Sequence, residues 1–269
     1  MQEKNNVVRR KQFLFPGMIA AHCFLLALSF TLLPSACVNE AKTHPPLKNS
    51  VSQKIISDSF PFTWVVNGIH YSVFYSGENH FAIRSKRPSA DSANISMCIA
   101  GAFTLPGDNT IDGLYIENGT IVKGKANHHL GGGLLISENK MSVIKTADGS
   151  LLTPSWRDSI AGLHCSFFQQ IQLVRSDSAL RFGKDTKLFQ RRAIVIFKNG
   201  KAAIVESKEP ILLQTFADAL VAMEARDALY TDMGGWDEGW YRSAGGKIKT
   251  IGLMRSDTPR QSNWVILEK

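Results

Sequence analysis

Low-complexity tracts and repeats of fixed period are absent from the 269 residues, which argues against solenoids and propellers. The chain also lacks any block of Lys or Arg beyond its N-terminal segment, so no nucleic-acid partner is expected. Cysteines number four. Adjacent His128-His129 is the one histidine pair. Neighbouring side chains on a strand point to opposite faces, and no carboxylate or cysteine accompanies the pair at ligand spacing, so a metal centre there is disfavoured.

What is present begins with an export signal. Lys4, Arg9, Arg10 and Lys11 precede a mostly apolar run from Phe13 to Leu33. Positive residues stay on the cytoplasmic side while such a run enters the bilayer. The run closes on Leu33-Pro34-Ser35-Ala36-Cys37. Small residues before a cysteine resemble a bacterial lipobox, with Pro34 where Leu is usual, and Cys37 is then the lipidation site. The competing reading is an uncleaved anchor, since the run nearly suffices to span. Either way the domain works outside the cytoplasm, in the bacterial envelope, as a periplasmic or outer-surface protein held to the membrane. The expected division is a signal peptide over 1–36, a lipid-anchor cysteine and flexible tether over 37–58, and one domain over 59–269. Removing 1–36 lowers the net charge from +8 to +5, with 27 basic and 22 acidic residues left. It also leaves only Cys98 and Cys165 in the domain, as a disulfide or as two buried thiols.

Within the domain, hairpin signals recur. Asn67-Gly68, Asn118-Gly119 and Asn199-Gly200 each sit between apolar runs, and Asn-Gly accepts the positive φ angles of a tight hairpin turn. Glu138-Asn139 and Gly245-Gly246 are weaker turns of the same kind. Two helices are expected. One begins at a capping box at Ser155–Asp158, with Ile160, Leu163 and Phe167 recurring behind it. The other carries the stripe Leu212, Phe216, Ala219, Leu220 and Met223. The predicted class is therefore α+β: a single domain with a largely antiparallel or mixed sheet and about two packed helices.

The densest cluster of polar and aromatic groups runs from Asp232 to Arg242. Asp232 ends a short strand; Gly234 and Gly235 allow a sharp turn; Trp236, Asp237, Glu238, Tyr241 and Arg242 follow. Carboxylates supply general acid or base chemistry, and aromatic faces suit sugar rings. The bland alternative is a tight turn with buried aromatics. Arg191 and Arg192 open an apolar strand, and one of them can grip phosphate in bidentate fashion. Gly101, within Ala100-Gly101-Ala102-Phe103, either admits a ligand beside the backbone or serves tight sheet packing.

The order of these motifs resembles the phosphodiester glycosidase family, a domain of bacterial exopolysaccharide-associated proteins and lysosomal enzymes. Ala100–Phe103 through Gly113-Leu114-Tyr115 and Asn118-Gly119 resembles its small-residue motif and Gly-Leu strand. Phe168–Val174 followed by Arg191-Arg192-Ala193-Ile194 resembles its glutamine segment and arginine strand. Ala228–Gly235 resembles its closing Asp-Gly-Gly motif, here interrupted by Met233. The resemblance implies a hydrolase of sugar phosphodiesters or related glycans. It makes Asp232, Arg192, Asp237 and Glu238 the catalytic candidates. Gly101, Phe103, Gln170, Gly234, Gly235, Trp236, Tyr241 and Arg242 become the substrate-binding candidates. The grouped carboxylates would suit a divalent cation, Ca²⁺ or Mg²⁺. Two competitors belong to other classes: a non-catalytic glycan-binding lipoprotein on the same fold, and a cysteine hydrolase using Cys165 beside His164.

Overall fold

Asn67-Gly68 and Asn118-Gly119 turn their hairpins with both residues at positive φ, 51° and 78° in the first and 46° and 80° in the second, whereas at Asn199-Gly200 only Gly200 is positive, at 80°. The computed structural model describes residues 52–55, 60–138, 140–183, 185–233, 239–252 and 258–269, all within one compact unit, Leu47–Lys269. The leader and Cys37 lie outside the described residues. In chain order the elements are β1 (Ser52–Ile55), β2 (Phe62–Val66), β3 (Ile69–Tyr75), β4 (His80–Arg84), β5 (Ile95–Ala100), β6 (Tyr115–Glu117), β7 (Thr120–Lys123), β8 (Gly132–Ser137) and β9 (Lys140–Lys145). Then come α1 (Pro154–Gly162), β10 (Ser166–Gln170), β11 (Gln172–Arg175), β12 (Ser178–Ala179), β13 (Arg192–Phe197) and β14 (Ala202–Ser207). The last elements are α2 (Leu213–Ala222), β15 (Ala225–Tyr230), β16 (Gly239–Arg242), β17 (Ile248–Ile251) and β18 (Trp264–Glu268), with a single 3₁₀ turn at Thr258–Arg260. β1 falls inside the stretch expected as tether.

The strands form three antiparallel sheets. Sheet I has the order β1-β2-β3-β14-β13-β15-β11-β12, sheet II β7-β6-β10-β8-β9, and sheet III β17-β16-β5-β18-β4. The expected α+β class is overturned: the molecule is a β-rich sandwich. The helices expected near 155 and 212 are there, but they have only nine and ten residues and cover outer faces. Helix α1 is capped by the Thr153 side chain, two residues before Ser155, with Pro154 in its first turn. Proline tolerates that position because its missing N–H would be unpaired there anyway.

Alternation along each strand splits the core into layers. Ile194, Ile204 and Leu229 of sheet I meet Tyr115, Leu134 and Phe168 of sheet II and Met97, Ile99 and Val265 of sheet III in a shared centre. The intervening side chains, among them Val195, Val205 and Tyr230, face Phe216 and Leu220 of α2. Phe167 and Ile116 turn outward to Trp156 and Ile160 of α1. The chain changes sheets at Ile171: β10 belongs to sheet II and β11 to sheet I. That crossing brings the glutamine segment to the end of β15.

Candidate active site

The site is built where β15 ends and β13 begins. The Thr231 N–H donates to the Arg192 carbonyl at 3.2 Å, and the Asp232 N–H to the Gly101 carbonyl at 2.9 Å. The Asp232 carboxylate accepts the Thr104 N–H through Oδ2 at 2.9 Å. Phe103 packs its ring against Tyr230 at 6.1 Å. The Tyr230 N–H reaches the Ile171 carbonyl, so the residue after Gln170 is tied to the same strand end. Five expected residues, Gly101, Phe103, Gln170, Arg192 and Asp232, thus share one neighbourhood although four separate chain segments supply them.

Their side chains have different surroundings. Asp232 is 4% exposed and points at the 101–104 segment. Arg192 is fully buried and its Nε donates to Glu206 Oε2 at 2.6 Å, with Nη2 on the same oxygen. Gln190 adds a hydrogen bond to the other Glu206 oxygen. A buried guanidinium must be matched by a partner charge, and Glu206, directly opposite on β14, provides it. Arg191 is buried as well. It bonds Asp185, the Ile211 and Lys187 carbonyls and the Tyr230 hydroxyl. Asp185 in turn accepts the first N–H of α2 from Leu213. Neither arginine is a solvated surface charge. Burial holds the Tyr230 hydroxyl above its usual pKa, against the opposing pull of Arg191.

Gly101 serves packing. A Cβ there would lie 2.6 Å from Asn263 Oδ1, and Asn263 clamps the neighbouring Ala102 backbone through both N–H and carbonyl. Gln170 turns its Oε1 onto the Ile171 N–H; its buried Nε2 meets no acceptor among the described residues. Gln169, beside it, organises a loop instead. Its amide bonds Asn127 in both directions and the Leu130 carbonyl, and Asn127 donates to both Asp112 oxygens at 2.8 Å.

Tyr241 and Arg242 are not brought to Asp232. Tyr241 packs edge-on against Phe60 and Phe74 in the central core. Arg242 bonds the Ala90, Ser92, Ile95 and Gly246 carbonyls, at the end of β5 away from Gly101. Gly234, Gly235, Trp236, Asp237 and Glu238 lie outside the described residues. No group of three or more His, Cys, Asp or Glu side chains able to hold a metal occurs among the described residues. Cys98 and Cys165 are both buried and unbridged. The Cys165 thiol faces the Leu163 carbonyl while His164 is exposed, an arrangement unlike a nucleophile and its base. No helix among the described residues is long and apolar enough to cross a membrane.

Sequence reading missed Thr104, Glu206 and Asn263. Glu206 did carry a signal, since it ends the apolar run Ala202–Val205 just as Asp232 follows one. Thr104 acts through its backbone, which no side-chain pattern reveals.

No known sequence family and no curated protein matches the chain. Solved structures do. The catalytic domain of zebrafish N-acetylglucosamine-1-phosphodiester alpha-N-acetylglucosaminidase, auto-inhibited by its pro-peptide, superposes with a TM-score of 0.53 at 13% identity, over 84% of each chain. The fold is similar to that of this catalytic domain. A hypothetical protein from Synechocystis is also similar, with a TM-score of 0.50 at 11% identity over 81% of this chain and 61% of that one. At these identities the glycosidase-like fold is what is shared. Expectations of substrate and residue role rest on the site itself.

Proposed function

We propose that the chain is an exported hydrolase of sugar phosphodiesters, anchored in the bacterial envelope through Cys37, with Asp232 as its catalytic carboxylate. The observation that carries this reading is the seating of Asp232 within a glycosidase-like fold. Its backbone is pinned by Gly101 and its carboxylate oriented by the Thr104 N–H. Cleavage of a sugar–phosphate bond passes through an oxocarbenium-like state. A carboxylate there activates water or stabilises the developing positive charge. A phosphate leaving group needs less protonation than an alkoxide. Asp237 and Glu238 would be the partners of Asp232, alone or through a divalent cation. Arg192 fits a positioning role: ion-paired to Glu206, it offers Thr231 the carbonyl that places the next residue, Asp232.

The test uses the full chain and a methyl phosphodiester of α-N-acetylglucosamine 1-phosphate, reading the free sugar. Turnover is expected from wild type, and Asp232→Asn should lose about 10²-fold or more. An undiminished Asp232→Asn rate would remove Asp232 from the chemistry. A wild type without turnover on any sugar phosphodiester would leave the second reading, a non-catalytic glycan-binding lipoprotein. That reading is favoured by one observation: Arg191 and Arg192 are both already engaged by protein carboxylates. Mass spectrometry of the N-terminal peptide tests the anchor; an unmodified Cys37 would refute it.

A further inference from the structure

A cleft of about 920 Å³ opens at the end of sheet I opposite Asp232, framed by the β3–β4 and β13–β14 turns. This lies inside the roughly 300–1,000 Å³ range of ligand pockets. Strand β13 leads from Arg192 at the candidate active site to Phe197 beside the cleft. Five steps at ~3.3 Å each separate the two by about 17 Å, so the cleft is a different place.

Its floor is aromatic: Phe62, Tyr75 and Phe81 line it. Phe62 and Tyr75 meet edge-on at 5.7 Å, and Tyr75 also packs against Phe197 at 5.6 Å. Phe62 and Tyr75 are therefore braced from behind while remaining partly exposed. The rim is polar and carries both signs, with Glu78, Asn79 and Lys201 on the two turns. An acyl chain would leave these rim groups stripped of water without partners. A polyanion would meet Glu78 as readily as Lys201. A sugar ring matches both parts, since its C–H face covers an aromatic surface and its hydroxyls reach donors and acceptors at the edge. Burial raises the Tyr75 pKa, which keeps its hydroxyl a neutral hydrogen-bonding group.

We infer that this cleft is a second glycan site, separate from the hydrolytic centre, that takes uncharged sugar units on the floor formed by Phe62 and Tyr75. The inference rests on the glycan-processing reading only for the choice of probe. Its part would be to hold a long glycan while another stretch of it is processed at the Asp232 end.

The experiment titrates the full chain with chitotriose by calorimetry or NMR. Wild type and Asp232→Asn are expected to bind equally. Tyr75→Ala should weaken binding at least tenfold, and Lys201→Glu, at an exposed turn where folding is not at stake, about threefold or more. Tyr75→Ala should keep the wild-type rate on the small methyl phosphodiester, which also shows that it is folded. Absence of binding by wild type overturns the inference. So does binding indifferent to both Tyr75→Ala and Lys201→Glu, or binding lost in Asp232→Asn. Tyr75-dependent binding without any hydrolysis would sustain the second site and sink the hydrolase; hydrolysis without such binding would do the reverse.

Discussion

The Asp232 carboxylate and the Thr104 backbone N–H, 128 residues apart in sequence, meet in a buried hydrogen bond of 2.9 Å. The bond joins the end of sheet I to the segment that follows β5, the central strand of sheet III. It makes the site depend on how the two sheets pack.

Removing that acceptor has a measurable cost. Asp232→Ala should lower stability by about 1–3 kcal/mol, because a buried N–H loses its partner. Asp232→Asn keeps an acceptor oxygen and should stay within about 1 kcal/mol of wild type. Urea unfolding of the two variants separates this structural share from any catalytic one.

The Arg192–Glu206 pair behaves differently. Glu206→Ala should cost about 3–5 kcal/mol by leaving a buried guanidinium without its counter-charge. Replacing both, as Arg192→Met with Glu206→Leu, should recover much of that loss. Equal destabilisation of single and double variants would show that Arg192 matters for packing rather than for charge.

Gly101→Ala forces a methyl to within 2.6 Å of Asn263 Oδ1. Asn263 is clamped and cannot yield cheaply, so a loss of about 1–3 kcal/mol is expected. Since the Gly101 carbonyl holds Asp232, turnover of a sugar phosphodiester should fall with it. Thermal melts and initial rates on the same sample check both.

Stability should also fall at alkaline pH. Burial pushes the Cys98 thiol up from 9.0 to about 12, so the folded state keeps a proton that the unfolded chain releases. The contribution is complete below about pH 9 and declines, by about 1.4 kcal/mol per unit, as pH rises towards 12. Tyr71, whose pKa burial also raises, adds the same sign above pH 10. Urea unfolding between pH 8 and 10.5 should show the decline, and Cys98→Val should flatten its first part.

The hairpins were legible because their cause is local. At Asn67-Gly68 and Asn118-Gly119 both residues take positive φ, and the flanking alternation shows which side chains turn inward. Of the stripe Leu212, Phe216, Ala219, Leu220 and Met223, the last four are buried, while Leu212 caps α2 and stays half-buried. The class was misjudged because hairpins count strands without saying which sheet each joins. β5 pairs with β16 and β18, which lie more than a hundred residues away.

Of the candidate site, Asp232 and Arg192 stood out as charges at the ends of apolar strands. Tyr241 and Arg242 stood out equally. Yet the pairing of β16 with β5 places them against Met97 and Ile95, away from Asp232.

By itself the sequence determined which residues turn, which alternate and which charges must find buried partners. These follow from backbone φ, side-chain period and the cost of desolvation, all of which act over a few residues. Only the tertiary structure decided that Glu206 answers Arg192, that Asn263 fills the space beside Gly101, and that Thr104 orients Asp232. Each of those contacts joins residues that sheet pairing and packing bring together, and no local rule ranks one distant partner above another.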